Sequence, residues 1–378
     1  MSDPVIRLLE DLVAIDSVNP SLVAGARGEA EIARRIAAEC ASAGLTVDMV
    51  DVVPGRPNVV GVLEGREPGP SLMFCGHIDT VGIGGMDAPF QPVRRDGRLY
   101  GRGAQDMKGG LAAMLDAARV LAAGGLPRGR LIVASVVDEE HASLGATALV
   151  ERWRADAAVV TEPTDLDIAV AHKGFQWVEV ETRGRAAHGS RPADGRDAIL
   201  RMGRVLTDLE QLGRRLEAQR PHPLLGPPSL HAAVIAGGRE WSSYPDHCRL
   251  QVERRTLPGE AEAAALEEAA AILDRLRRED REFDADARLV FGRGAYEIDP
   301  LHRLPAMVMD AAASVGGRPR KVGMTFWSDA AILGAAGIPS VLFGPGGEGL
   351  HSPGEYVRLD DVRVCRDALV SLAHEFVR

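Results

Sequence analysis

Behind the start signal Asp3-Pro4, apolar residues recur at helical spacing: Val5, Leu8, Leu9, Leu12 and Val13, with Asp3 or Ser2 as the cap. A second helix is expected over 28–44, closed by Gly44. Short apolar runs then alternate with helical patterns. Strands are expected at 58–63 and 72–75, a helix over 107–123, and strands at 131–137 and 157–161. Strands alternating with helices imply an α/β fold: a mixed, mostly parallel sheet with helices on both faces.

The rhythm changes after Gly174. Residues 176–182 alternate with period two, Trp177, Glu179 and Glu181 against Val178 and Val180, as a half-exposed strand does. A helix over 194–218, a Pro-rich loop over 221–228 and strands near 229–236 and 249–255 follow. A helix over 260–278 and a strand near 288–291 complete a β-α-β-β-α-β order, which is ferredoxin-like. The first rhythm resumes with a helix near 301–314, a strand at 340–343 and a final helix from Asp360. The expected organisation is one α/β domain over 1–174 and 295–378, interrupted by an inserted α+β domain over 175–294.

Composition narrows the function. The chain has 378 residues, 46% of them apolar, and a net charge of −10. Its basic residues are scattered, which argues against a nucleic-acid partner. No run reaches the roughly 18 apolar residues that span a membrane. The opening Met1-Ser2-Asp3-Pro4 lacks the basic and apolar regions of a signal peptide, so a cytoplasmic location is expected. The cysteines, Cys40, Cys75, Cys248 and Cys365, are far apart and form no Cys-x-x-Cys pair. Free thiols are expected, and any metal should be held by His and carboxylate. Lysine occurs only at Lys108, Lys173 and Lys321 in a chain that otherwise uses Arg.

The candidate chemistry sits where strands end. Gly76-His77-Ile78-Asp79 closes the apolar run 71–75. Residues two apart in extended chain share a side, so Asp79 can orient an imaidazole and leave its other nitrogen for a metal. By itself a His-x-Asp pair is more often an ordinary turn. Gly101-Arg102-Gly103-Ala104-Gln105-Asp106-Met107-Lys108-Gly109-Gly110 precedes a helix, and Asp106 stands at its start. Such a residue also suits a plain N-cap, and the phosphate-loop order is absent. Asp138-Glu139-Glu140-His141 ends the strand at 131–137, and three adjacent acids there are costly unless paired or metal-bound. Glu162 follows the strand at 157–161. Gly344-Pro345-Gly346 and then His351 follow the strand at 340–343. Topology should gather His77, Asp106, Glu140, Glu162 and His351 on one sheet edge, enough for two divalent ions sharing a carboxylate. Without thiolate the set suits zinc, with cobalt or manganese as alternatives. His222, His231, His302 and His374 read as surface or packing residues, while His141, His172 and His247 stay open.

In order along nearly the whole chain, these motifs resemble the di-zinc hydrolase family of acetylornithine deacetylase, succinyl-diaminopimelate desuccinylase and carboxypeptidase G. The matching segments are Gly76-His77-Ile78-Asp79, Asp106-Met107-Lys108-Gly109, Asp138-Glu139-Glu140, Glu162-Pro163-Thr164 and Gly349-Leu350-His351. The resemblance implies His77 and Glu162 on one zinc, Glu140 and His351 on the other, Asp106 bridging them and Asp79 orienting His77. It implies Glu139 as general base, His188 in Ala187-His188-Gly189-Ser190 as oxyanion donor, and Arg255 gripping a substrate carboxylate. It also implies that the inserted domain acts as a lid and joins a homodimer. One departure stands out: Ser242 or Ser243, after Gly237-Gly238, occupies the place of the family's substrate-contacting Asn. Ser242 and Gly346 are taken as substrate contacts. The implied reaction is cleavage of the amide bond of an N-acyl amino acid. A carboxypeptidase or dipeptidase acting on a short peptide is the runner-up, and a catalytically inactive metal-binding homologue is the alternative from another class. A nucleotide-binding protein is disfavoured by the missing Gly-rich signatures.

Overall fold

The computed structural model describes residues 3–377. Asp3 caps the first helix, Pro4–Val13, through a side-chain bond from the Val5 amide, with Pro4 in the first turn. Ser2, the other candidate cap, lies outside the described residues. The chain divides into two compact units. One runs up to Val170 and takes in Ile298–Val322 and everything from Ser328; the other is Ala171–Glu297 with Gly323–Trp327.

The first unit is built on a mixed sheet. Its strands are β1 (Thr46–Val53), β2 (Arg56–Glu64), β3 (Glu67–His77), β4 (Arg128–Val136), β5 (Ala157–Val160), β6 (Ile168–His172, of which the first three residues belong to this unit) and β7 (Ser340–Leu342). Their order is β1-β2-β4-β3-β5-β7-β6. The four inner strands β4, β3, β5 and β7 are parallel, and β1, β2 and β6 join antiparallel. Leu72, Met73, Phe74 and Cys75 of β3 are fully buried, which fits a strand covered on both faces. One helix group, Pro4–Val13, Ala30–Ser42, Gly109–Gly124, Leu304–Ser314 and Leu359–Phe376, packs together; Leu144–Arg152 and Ala330–Ala335 form a second group.

Several elements escape the sequence pattern. The edge strand β1 buries none of its residues fully and shows no regular alternation, and Leu144–Arg152 is too short for a clear helical period. The helix expected from 107 starts at Gly109, because Ala104–Lys108 forms a wide turn of its own.

The second unit follows the β-α-β-β-α-β order: Gly174–Arg183, Ala198–Glu217, Ser229–Gly237, His247–Thr256, Ala264–Glu279 and Asp284–Arg293. Its four strands are antiparallel, with Gly174–Arg183 between His247–Thr256 and Asp284–Arg293, and Ser229–Gly237 at the edge. Val178, Val180, Leu250 and Val252 point into a core filled by Met202, Val205, Ile272 and Leu273. The first helix, expected from 194, begins at Ala198, and Asp197 caps it by accepting from the Leu200 amide. All four cysteines are free and buried. Among the described residues no helix is long and apolar enough to cross a membrane.

Gly110 permits the close approach that seats the helix Gly109–Gly124 on the end of β5. A Cβ there would lie 1.9 Å from the Thr161 carbonyl oxygen. Gly110→Ala should therefore cost about 1–3 kcal/mol, the usual penalty for overpacking. Gly203 lies inside the helix Ala198–Glu217 with open space where a Cβ would sit. Gly203→Ala should instead add about 0.5–1 kcal/mol, since a mid-helix glycine costs that much. Urea unfolding of the two variants checks the pair. Equal, small effects would show that the approach at Gly110 does not matter.

Candidate metal centre

The order of the parallel strands makes the site. β3 lies between β4 and β5, and the chain reaches them through helices on either side of it. That is a switch point, where open α/β sheets form a crevice at strand carboxyl ends. His77 is the last residue of β3. Glu139 and Glu140 follow β4, Glu162 follows β5, and His351 lies beyond β7.

The side chains converge. His77 Nε2 is 3.0 Å from Asp106 Oδ1 and 3.9 Å from Glu139 Oε2. His351 Nε2 is 3.3 Å from Asp106 Oδ2 and 3.2 Å from Glu140 Oε2. Asp106 thus stands between the two imidazoles. Candidate ligand atoms of His77, Glu139 and Glu162 lie within 4.8 Å of one another, as do those of His77, Asp106 and Glu140. All five sequence-expected ligands are therefore brought together. Glu139 joins them, so geometry alone allows it either a metal or a proton.

Asp79 has a broader job than orienting an imidazole. His77 Nδ1 is 3.0 Å from the Asp79 main-chain oxygen and 3.7 Å from its carboxylate. The carboxylate accepts the Glu139 amide at 3.1 Å, the Glu140 amide at 3.2 Å and Asn19 Nδ2 at 2.8 Å. It holds the backbone from which both glutamates project. Asn19 also donates to Asp138 Oδ1, which accepts from Arg56 at 2.8 Å, and Arg56 grips Glu29 through both Nε and Nη2. Asp138 adopts φ 69°, a left-handed turn that Asp tolerates better than most residues, and so redirects the chain after β4.

Burial dominates the electrostatics. It pushes Glu139 and Glu162 well above the usual carboxylate range, with His77 opposing the rise. It takes Glu140 up to about 7, aided by nearby Asp106. For Asp106, burial also favours the neutral acid, yet hydrogen bonds from His351 and His77 prevail and hold it well below the usual range. His351 is raised to about 10, chiefly by its bonds to Asp106 and Glu140. Glu140 Oε1 is buried with no hydrogen-bond partner. An acidic cluster with an orphaned buried oxygen and two convergent imidazoles is the donor set a divalent cation satisfies.

The remaining candidates lie in the second unit, except Gly346. His188 is exposed; its Nδ1 accepts from the Ser190 amide at 3.2 Å and meets Ser190 Oγ at 2.8 Å. The loops of His188 and Ser242 are joined, with the Gly189 amide donating to the Ser242 oxygen at 2.7 Å and a bridge between His188 and Ser243. Arg255 is half-buried, bonds Glu253 at 2.6 Å and lies over the Phe175 ring. Its neighbour Arg254 is fully buried between Glu260 and Glu268. Gly346 is buried, and its amide donates to Asp361. Of the open histidines, His172 is buried against Tyr296 and Trp327, His247 lies 3.6 Å from Glu181, and His141 lies 4.0 Å from Asp138.

The pattern of Peptidase family M20/M25/M40 matches residues 73–375. An acetylornithine deacetylase of Myxococcus xanthus is 35% identical over 84% of this chain and 84% of its own length. The N-formyl-4-amino-5-aminomethyl-2-methylpyrimidine deformylase of Bacillus subtilis is 29% identical over 95% of this chain and 91% of its own. The Bacillus subtilis YXEP protein, described as a dinuclear metal-binding peptidase, shares the fold with a TM-score of 0.76 at 19% identity, over 99% and 97% of the two chains.

Protons compete with a cation for these donors. Glu140, raised to about 7, should make cation uptake by the metal-free protein release protons and tighten as pH rises through 7. The stability of that metal-free protein should run the other way. Glu140 contributes fully below 4.5 and loses its contribution through about 7; His351 contributes fully below 6.5 and loses its share through about 10. Melting temperature should thus fall as pH climbs from 5 towards 9. A melting temperature that rises across that window, or a pH-independent metal affinity, contradicts these assignments.

Proposed function

This chain belongs to peptidase family M20/M25/M40, and on that premise we propose that it hydrolyses the amide bond of an N-acyl amino acid. The observation that carries the reading is the convergence of His77, Asp106, Glu139, Glu140 and Glu162 in a largely enclosed cluster, with the more exposed His351 closing it from outside. Relatives named a deacetylase and a deformylase favour a small acyl group on nitrogen.

The donor set suits two zinc ions, with cobalt or manganese as alternatives. His77 and Glu162 would hold one ion, Glu140 and His351 the other, and Asp106 both. When bound, the ions supply Lewis acidity, which polarises the acyl carbonyl and eases deprotonation of water. Glu139 takes the proton from that water and hands it to the leaving nitrogen. Asp79 fixes the turn that aims Glu139.

His188 is well made to donate. A neutral ring that accepts the Ser190 amide at Nδ1 carries its proton on Nε2, ready for a developing oxyanion. Arg255 answers a substrate carboxylate as a planar fork. Ser242, shorter than the Asn it replaces, and Gly346 adjust the fit to the acyl group. The edge strand Ser229–Gly237 pairs on one side only, and Val234 and Ile235 are about half exposed along it. Such an edge invites another chain. It supports a homodimer joined through the second units.

The direct test screens N-acetyl, N-formyl and N-succinyl amino acids, with dipeptides alongside, before and after exhaustive chelation. The expected result is turnover of one acyl series, lost on chelation and restored by zinc or cobalt. Turnover of dipeptides alone moves the reading to a peptidase. Undiminished activity after chelation overturns it.

Two variants separate the remaining roles. Glu139→Gln should lower kcat on the order of 10²-fold or more, the usual worth of a positioned base. Its metal content should be unchanged; loss of an ion would make Glu139 a ligand. His188→Ala should be inactive too. If His188 acts across the dimer, mixing the two inactive variants creates one intact site per hybrid, and activity returns after subunit exchange. No recovery despite proven exchange places His188 within its own chain or outside catalysis.

A further inference from the structure

A glycine-rich turn before a helix is often a cradle for an external anion. In 101–110 the cradle is filled by the chain itself. The Glu355 carboxylate, almost fully buried, accepts from four donors. Its Oε1 takes the amides of Gln105 at 2.9 Å and Asp106 at 3.1 Å. Its Oε2 takes the amide of Gly103 at 3.1 Å and the guanidinium of Arg102, which is equally buried. Gly103 has φ 77°, and a Cβ there would lie 2.5 Å from Thr80, so the turn that aims these amides inward requires glycine.

The last of those amides belongs to Asp106, whose two carboxylate oxygens meet His77 and His351. Glu355 also lies four residues after His351. One buried carboxylate therefore ties the backbone of the central acid to the segment that carries one of its partners.

We propose that Glu355, held by Arg102, is the positioning residue that sets Asp106 for metal binding. The proposal rests on reading the cluster as a metal centre. The chemistry is demanding. A carboxylate offers two acceptor oxygens, each serving two donors here, whereas an amide offers one oxygen and turns an NH₂ towards an N–H. Glu355→Gln therefore leaves two donors of the turn unanswered while keeping the size of the side chain. Glu355→Asp keeps the charge but falls one methylene short of spanning both pairs. Neither change touches the proposed ligands themselves.

The test is calorimetric titration of cobalt into metal-free wild type, Glu355→Gln and Glu355→Asp, with the visible cobalt spectrum and melting temperature of each. Wild type is expected to bind two ions. Glu355→Gln should bind about 10- to 100-fold more weakly, the usual effect of removing a group that supports a ligand, with an altered spectrum. Glu355→Asp should fall between. A purely structural role would lower the melting temperature and leave the affinity and spectrum of folded protein unchanged. That outcome overturns the proposal. If Glu355→Gln does not fold, the same readings on Glu355→Asp decide, and wild-type affinity with a wild-type spectrum overturns it. Wild type that binds no cobalt overturns the metal reading and this inference together, while normal wild-type uptake matched by the variants overturns the inference alone.

Discussion

Asp106, Glu139, Glu140 and Glu162 are carboxylates packed together where strands end, and this buried concentration of acid is the constraint that orders the first unit. Such groups cannot all stay charged in a low-dielectric site without a compensating cation. His77 and His351 offset part of the repulsion through Asp106. Burial, with neighbouring carboxylates adding to it, still leaves Glu139, Glu140 and Glu162 raised. A fold that keeps this arrangement does so by surrounding it with rigid polar support. Asp79 and Asn19 hold the turn after β4, the Arg56–Glu29 pair backs it, and the Arg102–Glu355 pair holds the turn at Asp106.

Rigidity and topology work together here. Four parallel strands deliver their carboxyl ends to one edge, so ligands far apart in the chain meet without long loops. The crossovers that place β4 and β5 on opposite sides of β3 open the crevice. Close backbone approach at Gly110 then seats the turn of Asp106 above it. In the second unit, alternation with period two gives one packed sheet face and one face carrying Trp177, Glu253 and Arg255, where side chains can vary without disturbing the core.

Much of this was legible in the chain. Long buried runs such as 71–75 marked the inner strands, and acids or histidines just after them marked the centre, because polar residues after an apolar strand need a reason to be there. The supports were not legible. Asn19, Arg56 and Glu355 meet their partners across 60, 82 and 250 residues, and no periodicity reports such contacts. The glycine-rich turn could be read as a plain cap or an anion cradle, and only the fold supplied the internal anion. The edge strand β1, the short helix Leu144–Arg152 and the hairpin Val93–Arg95 with Arg98–Tyr100 lacked a period long enough to read. Arg254 and Arg255 are the instructive pair: neighbours on one strand, they face opposite sides, and Arg254 is a fully buried ion-pair centre.

The central claim is that the acid cluster exists to hold a pair of cations. Anomalous diffraction from zinc-loaded crystals, recorded above and below the zinc absorption edge, tests it without relying on turnover. The account predicts two anomalous peaks inside the cluster, one beside His77 and Glu162, the other beside Glu140 and His351, with Asp106 reaching both. A single peak, or peaks held by other side chains with these five residues unoccupied, would contradict it.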